Sequence, residues 1–210
     1  LPLSKACGHV HGIDRSEGML EVCHEKLVKS EIPSARASAE LGDITNFELA
    51  QKFDLIIAPF RVFQNLEFDE SVDGLFHCVR NHLSPNGACI LNSFMPDEPR
   101  DQMVNNWPCQ EEVLAWETES EGLRLTRHDR RIRFDADNLV LHPEMIYRLY
   151  EGDTLLDETV FKAVLRFYYP ENFLQLVEDH GFTVVDRWGG YAGEPWGQGP
   201  ELVVRFMNRD

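Results

Sequence analysis

The stretch Val10-His-Gly-Ile-Asp14, followed at once by Arg15-Ser-Glu17, constrains the fold of this chain more than any other. Val10 and Ile13 favour a strand, and the strand ends in a carboxylate. Ser16 suits the cap of a helix, because its hydroxyl accepts from a free N–H, and Glu17 suits the positively polarised first turn. Behind it Met19, Leu20, Cys23 and Leu27 share one face at helical spacing, with Lys26 and Lys29 in the last turn. The spacing predicts a helix over 16–29. In open α/β sheets, ligands bind at the C-terminal tips of strands that pass into helices in this way. A carboxylate at such a tip accepts two hydrogen bonds from a ribose diol, or is simply a polar residue at a turn.

The rest of the chain repeats the alternation. Residues 35–41 read as a weak strand, and Gly42-Asp43-Ile44 ends it with a second acid. Phe53-Asp-Leu-Ile-Ile-Ala58 is a continuous apolar run, expected as a central strand covered on both faces, and Pro59 stops it. A helix follows from Asp69, with Val72, Leu75, Phe76 and Val79 on one face; Leu83-Ser-Pro-Asn-Gly87 is a turn by composition, and 88–94 is a further strand. Strand and helix in alternation predict a parallel, doubly wound sheet. From residue 95 the pattern changes to short alternating runs at 113–116, 123–126, 131–134, 139–141, 145–150 and 159–168, expected as an antiparallel sheet. Pro170 opens a last helix on Phe173, Leu174 and Val177, which Gly181 stops. Strands 182–186 and 202–206 flank a loop rich in glycine and aromatics, Trp188 to Gly197. The expected fold is thus α/β: a Rossmann-like open sheet, mostly parallel, with an antiparallel C-terminal hairpin and an inserted antiparallel β subdomain. The expected division is a core at 1–106, the inserted sheet at 107–169, and the end of the core at 170–210.

Charge and cysteine usage narrow the function. A net charge of −16 over 210 residues repels nucleic acid phosphates and anionic membrane surfaces, so neither is an expected partner. No apolar run is long enough to span a bilayer. Five cysteines at irregular spacing, with no CxxC pair, are expected as reduced thiols in a cytoplasmic protein. His9 and His11 share a strand face, but no acid or thiol cluster accompanies them, so no metal site is expected.

Four segments together resemble the class I S-adenosylmethionine-dependent methyltransferases that act on small molecules. Val10 to Leu20 is similar to the family's second strand and following helix, whose acid binds the ribose hydroxyls. Gly42-Asp43-Ile44 is similar to its adenine-binding turn. Phe53 to Phe60 resembles its fourth strand, whose tip faces the methionine part, and Leu83 to Leu91 its turn into the fifth strand. The resemblance implies S-adenosylmethionine as cofactor, transfer of a methyl group to N, O or C of a small-molecule acceptor, and cofactor contacts at Asp14, Arg15, Met19, Gly42, Asp43, Ile44, Ala58, Pro59, Phe60 and Phe63. The family's first strand and its GxGxG turn do not occur in this sequence, and Leu1 falls in the helix that follows them; the expectation is that they lie upstream.

Candidates for the acceptor side are Arg61 behind the fourth-strand tip, Arg131 in a basic cluster with Arg124, Arg127, Arg130 and Arg133, and Tyr191 and Trp196 in the glycine-rich loop. The basic cluster either holds an anionic group or forms a solvated strand face paired with nearby acids. His128, His142 and Tyr191 are the candidates for a general base, and sequence assigns the role to none of them. Two other functions remain open at this point: a nicotinamide-dependent oxidoreductase, since an acid at a second strand tip marks that fold too, and a non-catalytic relative that binds a partner. The inserted sheet is expected either to close over the site or to pack on a second copy in a homodimer.

Overall fold

The computed structural model describes residues 2–209. Leu1, and with it the place expected for it in a helix, lies outside them. The chain divides into two compact units, one reaching Lys52 and taking in Glu70–His82, the other holding Phe53–Asp69 and the chain from Leu83 onward.

In the first unit, helix α1 (Pro2–Ala6) leads to strand β1 (Val10–Asp14), helix α2 (Glu17–Lys29) and strand β2 (Ala37–Leu41). Ser16 caps α2 as its position predicts, its hydroxyl accepting from the Met19 N–H at 3.3 Å. β1 and β2 pair in parallel, with Asp14 opposite Leu41. Helix α3 (Asp69–His82) lies in this unit from Glu70 on, and buries Val72, Leu75, Phe76 and Val79, the face its periodicity predicts. It is tied to the segment after β2. The Phe47 N–H donates to Cys78 Sγ at 3.4 Å, and the Leu49 N–H donates to His82 Nε2 at 2.9 Å. Gly74 meets the Thr45 carbonyl so closely that an added Cβ would lie 2.5 Å from the oxygen, so only glycine fits there.

In the second unit, strands β3 (Phe53–Ala58), β4 (Leu83–Phe94), β10 (Phe182–Trp188) and β11 (Glu201–Asn208) form one sheet in the order β10-β11-β4-β3. β3 and β4 are parallel, whereas β11 runs antiparallel to both of its neighbours. The strands expected in one mostly parallel sheet are therefore found in two sheets, with two parallel and two antiparallel pairings. Among the described residues β3 pairs with β4 alone, and Leu55 and Ile57 stay 48% and 39% exposed. The turn predicted at 83–87 is a bulge in β4, where the register slips between Phe53 and Leu55 and Gly87 passes against the Phe53 carbonyl. Helix α5 (Pro170–Asp179) packs on β10 and β11. Its Phe173 stacks on Phe63 and Tyr168, with ring centroids 5.6 and 5.4 Å away.

The antiparallel sheet of this unit is β5 (Cys109–Ser120), β6 (Leu123–Asp135), β7 (Val140–Glu151) and β8 (Thr154–Lys162), with the short β9 (Leu165–Arg166) beside β7. Six short runs become longer strands because charged residues at 127–130 and 142–144 find partners across the ladder. Arg130 pairs with Glu144 and Arg148 with Glu112 and Glu158, so the strands continue where their sequences look polar. One end of the sheet is fixed through Phe134, Leu141 and Leu165. They join Met103 of helix α4 (Arg100–Asn106), Trp107, Phe94 and Phe167 in a single apolar cluster.

Candidate functional site

Two groups of side chains are candidates for a site, one in each unit. In the first unit the parallel pairing of β1 and β2 sets two acids at adjacent strand tips. The Gly42 N–H donates to the Asp14 carbonyl at 3.0 Å, which fastens the Gly42-Asp43 turn to the end of β1. The Asp14 carboxylate accepts from the Ser16 N–H through Oδ1 at 2.9 Å. Asp43 Oδ1 accepts from the Thr45 N–H at 2.8 Å and from the Thr45 hydroxyl at 2.7 Å. These bonds, the backbone one foremost and then the hydroxyl, hold the Asp43 carboxyl below the usual carboxylate range, and the charge of Arg15 adds to them. In both acids the protein bonds use Oδ1, and among the described residues no donor reaches Oδ2. The turn therefore orients each carboxylate and leaves an acceptor oxygen for a ligand donor. Ribose hydroxyls at Asp14 and an exocyclic amine at Asp43 are such donors, so these residues fit an adenosyl group. Arg15 and Met19 are exposed beside this turn, and Ile44 is half-buried in it.

In the second unit the tip of β3 passes through Pro59 into two consecutive residues in the left-handed region, Phe60 at φ 58° and Arg61 at φ 61°. Neither is glycine, so each costs about 1 kcal/mol or more of backbone strain. A closed ring of bonds holds the turn. Arg61 donates through Nε to Glu201 Oε1 at 2.9 Å and through Nη2 to the same oxygen. Asn92 Nδ2 donates to Glu201 Oε2 at 3.0 Å, and Asn92 Oδ1 accepts from the Arg61 backbone N–H at 3.3 Å. Glu201 and Asn92 are buried, and the Arg61 guanidinium lies over the Phe94 ring at 5.7 Å. The outcome of the strained turn is that Phe60 projects, 94% exposed. Ala58 is buried at the strand end.

Phe63 is a correction to the expected cofactor contacts. It is wholly buried between Tyr168 and Phe173, because the short 3-10 turn Val62–Asn65 rotates it inward, and it has no surface to offer a ligand. Tyr191 stands exposed in the loop between β10 and β11, and Trp196 is half-buried there. Partial burial pushes the Tyr191 hydroxyl up from its ordinary value, and the charge of Glu201 adds to this against Arg61. At neutral pH it is a donor and not a base. His142 is held neutral, first by burial and then by the Arg133 charge, and its Nε2 lies 2.7 Å from Arg133 Nη2. His128 buries Nδ1 in the sheet without a hydrogen-bond partner. Neither Tyr191 nor His142 is therefore disposed to act as a base. In the basic cluster Arg124, Arg127, Arg130 and Arg133 each pair with an acid, whereas Arg131 lies over the Trp107 ring at 6.0 Å.

Sequence reasoning missed Glu201, Asn92 and Gln64. Gln64 is buried; its carbonyl oxygen accepts from the Phe94 N–H at 3.0 Å, and its amide donates to the Arg166 carbonyl at 3.1 Å. The available signal was polar residues set directly against buried strand runs, Asn92-Ser93 after Leu91 and Glu201 before Leu202. All five cysteines are free thiols, and among the described residues no group of His, Cys, Asp or Glu stands close enough to hold a metal ion. No described helix is long and apolar enough to cross a membrane.

Residues 1–87 match the family model described as a methyltransferase domain. No curated protein matches the chain by sequence. Among solved structures, the chain is similar to an S-adenosylmethionine-dependent methyltransferase from Clostridium acetobutylicum at 13% identity and a TM-score of 0.77, over 99% of this chain and 78% of that one. It is similar to the CcbJ methyltransferase from Streptomyces caelestis at 18% identity and 0.76, over 100% and 78%. It is also similar to CalS10, an amino pentose methyltransferase from Micromonospora echinaspora, at 18% identity and 0.67, over 97% and 76%. The α/β fold with mixed sheets is thus that of S-adenosylmethionine-dependent methyltransferases. The match over residues 1–87 includes both acidic strand tips, Asp14 and Asp43.

Proposed function

We propose that this protein transfers a methyl group from S-adenosylmethionine to a small-molecule acceptor. The observation that carries this reading is the pair of acids at adjacent parallel strand tips, Asp14 and Asp43, each anchored through Oδ1 and open at Oδ2. Asp14 binds the ribose diol and Asp43 the adenine amine, with Arg15, Met19, Gly42 and Ile44 around them. Ala58, Pro59 and Phe60 serve the methionine and acceptor side, and Arg61, Tyr191, Trp196 and Arg131 the acceptor. The cofactor supplies a methyl group already activated on a sulfonium, so the chain's own residues have to bind, align and exclude water.

An amine nitrogen is the acceptor atom this site suits best. A neutral amine attacks without a general base, whereas a hydroxyl wants one; the Tyr191 hydroxyl is pushed up, His142 Nε2 lies 2.7 Å from Arg133 Nη2, and His128 buries Nδ1 in the sheet. The likeness to an amino pentose methyltransferase agrees with an amine acceptor. The same reading includes a core at 1–106 and 170–210 in a Rossmann-like arrangement, an inserted antiparallel subdomain at 107–169, a cytoplasmic setting and a homodimer.

Titration calorimetry with S-adenosylhomocysteine tests the reading on the full natural protein. Binding that weakens at least tenfold in Asp14→Asn and again in Asp43→Asn supports it. No binding by the wild-type protein overturns it, and leaves a non-catalytic relative of the fold.

A further inference from the structure

We propose that the acceptor carries a carboxylate beside its amine, as an amino acid does, and that Arg61 and the Tyr191 hydroxyl hold this carboxylate while Phe60 takes the apolar part of the molecule. The inference rests on the methyl-transfer reading and names the class of acceptor for it.

A guanidinium has two edges that grip a carboxylate, Nε with Nη2 and Nη1 with Nη2. In Arg61 the first edge is filled. Nε donates to Glu201 Oε1 at 2.9 Å, and Nη2 donates to the same oxygen. Glu201 is buried, and its Oε2 accepts from Asn92 Nδ2 at 3.0 Å, so it is fixed as an anchor. The Phe94 ring backs one face of the guanidinium at 5.7 Å. The second edge is open. Among the described residues nothing accepts from Nη1, and the side chain is 46% exposed. This chain shows elsewhere what an arginine does with both edges. Arg148 donates through Nε to Glu158 at 2.6 Å and through Nη1 to Glu112 at 2.8 Å, two carboxylates on one guanidinium. Arg61 has its first carboxylate from the protein, and its Nη1 donors are left for a second.

Tyr191 adds a donor close to this pair. The charges of Glu201 and Arg61 both act on its hydroxyl. Its loop is held in place by several bonds. The Gly189 N–H donates to the Glu194 carbonyl at 2.7 Å, and the Ala192 N–H to Glu194 Oε2 at 3.0 Å. Gly190 makes room for that carboxylate, since a Cβ there would lie 2.5 Å from Oε2. The Glu201 N–H donates to the Gly189 carbonyl at 2.9 Å. Glu201 therefore anchors the loop with its backbone and Arg61 with its side chain. Tyr191 is held 71% exposed, and among the described residues its hydroxyl meets no hydrogen-bond partner.

The make-up of this group selects the ligand. A fixed guanidinium edge and a phenol that stays protonated at neutral pH are donors, which suit a carboxylate. Phe60, next to Arg61 in the strained turn, adds an apolar ring that the protein itself does not cover. Net charge favours a carboxylate over a phosphate. A protein at −16 repels an anion, and an amine that bears a phosphate remains anionic, whereas an amine with a carboxylate is a zwitterion without net charge.

Ligand-observed NMR titration with phenylacetate tests this on the full natural protein saturated with S-adenosylhomocysteine. Phenylacetate has the ring and the carboxylate and no amine to react. Saturable binding is expected, and phenylacetamide, of the same shape without the charge, is expected to bind at least about tenfold more weakly. Arg61→Lys, which keeps the charge and loses the planar edge, is expected to weaken phenylacetate at least about tenfold. Tyr191→Phe removes only an exposed hydroxyl and is expected to weaken phenylacetate by about threefold or more, with no change for phenylacetamide. Should Arg61→Lys fail to fold, Tyr191→Phe and the amide comparison decide. No saturable binding of phenylacetate up to about 20 mM overturns the proposal. So does equal binding of phenylacetamide, unchanged affinity in either variant, or tighter binding of phenyl phosphate. Binding of S-adenosylhomocysteine is measured first. A protein that binds it and ignores phenylacetate loses this inference alone; one that binds neither loses the methyl-transfer reading as well.

Discussion

Replacing Glu201 by alanine is the sharpest perturbation of the ring that holds the β3 tip. Three bonds from two residues end on this carboxylate, and a fourth, from the Arg61 backbone to Asn92, closes the ring. Asn92 is 2% exposed, so loss of its acceptor leaves a buried amide unsatisfied, at about 1–3 kcal/mol. The Arg61 side chain is 46% exposed and can turn to water, so the broken ion pair adds about 1 kcal/mol and not the 3–5 kcal/mol of a fully buried pair. The expected total is about 2–4 kcal/mol, read as a lower urea midpoint at unchanged slope. A double-mutant cycle with Arg61→Ala separates the ring from general damage. If Arg61 and Glu201 act together, the two losses overlap by about 1 kcal/mol or more in the double variant. Losses that add to within about 0.5 kcal/mol would refute the ring as a unit. They would also leave the left-handed conformation of Phe60 and Arg61 without its physical support.

Other outcomes follow from the same geometry. Phe63→Ala removes a wholly buried ring and is expected to cost about 3–5 kcal/mol by urea unfolding, whereas Phe60→Ala changes stability by less than about 0.5 kcal/mol and instead alters the acceptor KM. Gly74→Ala is expected to destabilise by about 1–3 kcal/mol although alanine is the better helix former, because its Cβ would meet the Thr45 carbonyl; a gain in melting temperature would contradict that contact. Asp43 has a folded value below its ordinary 3.8, so it stabilises the protein fully above that value and loses the contribution as pH falls through the lowered one. The melting temperatures of wild type and Asp43→Asn should therefore converge on acidification below pH 3.8 and stay apart at neutral pH.

Sequence by itself determined the local elements and the first acidic pair. Val10 to Lys29 contains its own strand, cap and amphipathic face, so local rules were enough to position Asp14, and Gly42-Asp43 followed from the next strand end. The face of α3 was likewise written in its spacing. What sequence could not decide was everything that depends on a partner distant along the chain. The apolar run of β3 does not record which strands pair with it; among the described residues it pairs with β4 alone, and Leu55 and Ile57 stay exposed. Phe60 and Phe63 look equivalent in sequence. The left-handed turn and the 3-10 turn that send one outward and the other into the core are held by Glu201 and Asn92, 140 and 31 residues from Arg61. The arginines of β6 read as a basic cluster, and only cross-strand register shows four of them matched to acids. Periodicity records which side of an element is apolar; it carries no record of what lies against that side, and tertiary pairing decides whether a carboxylate is left open to a ligand, as at Asp14 and Asp43, or consumed in a clamp, as at Glu201.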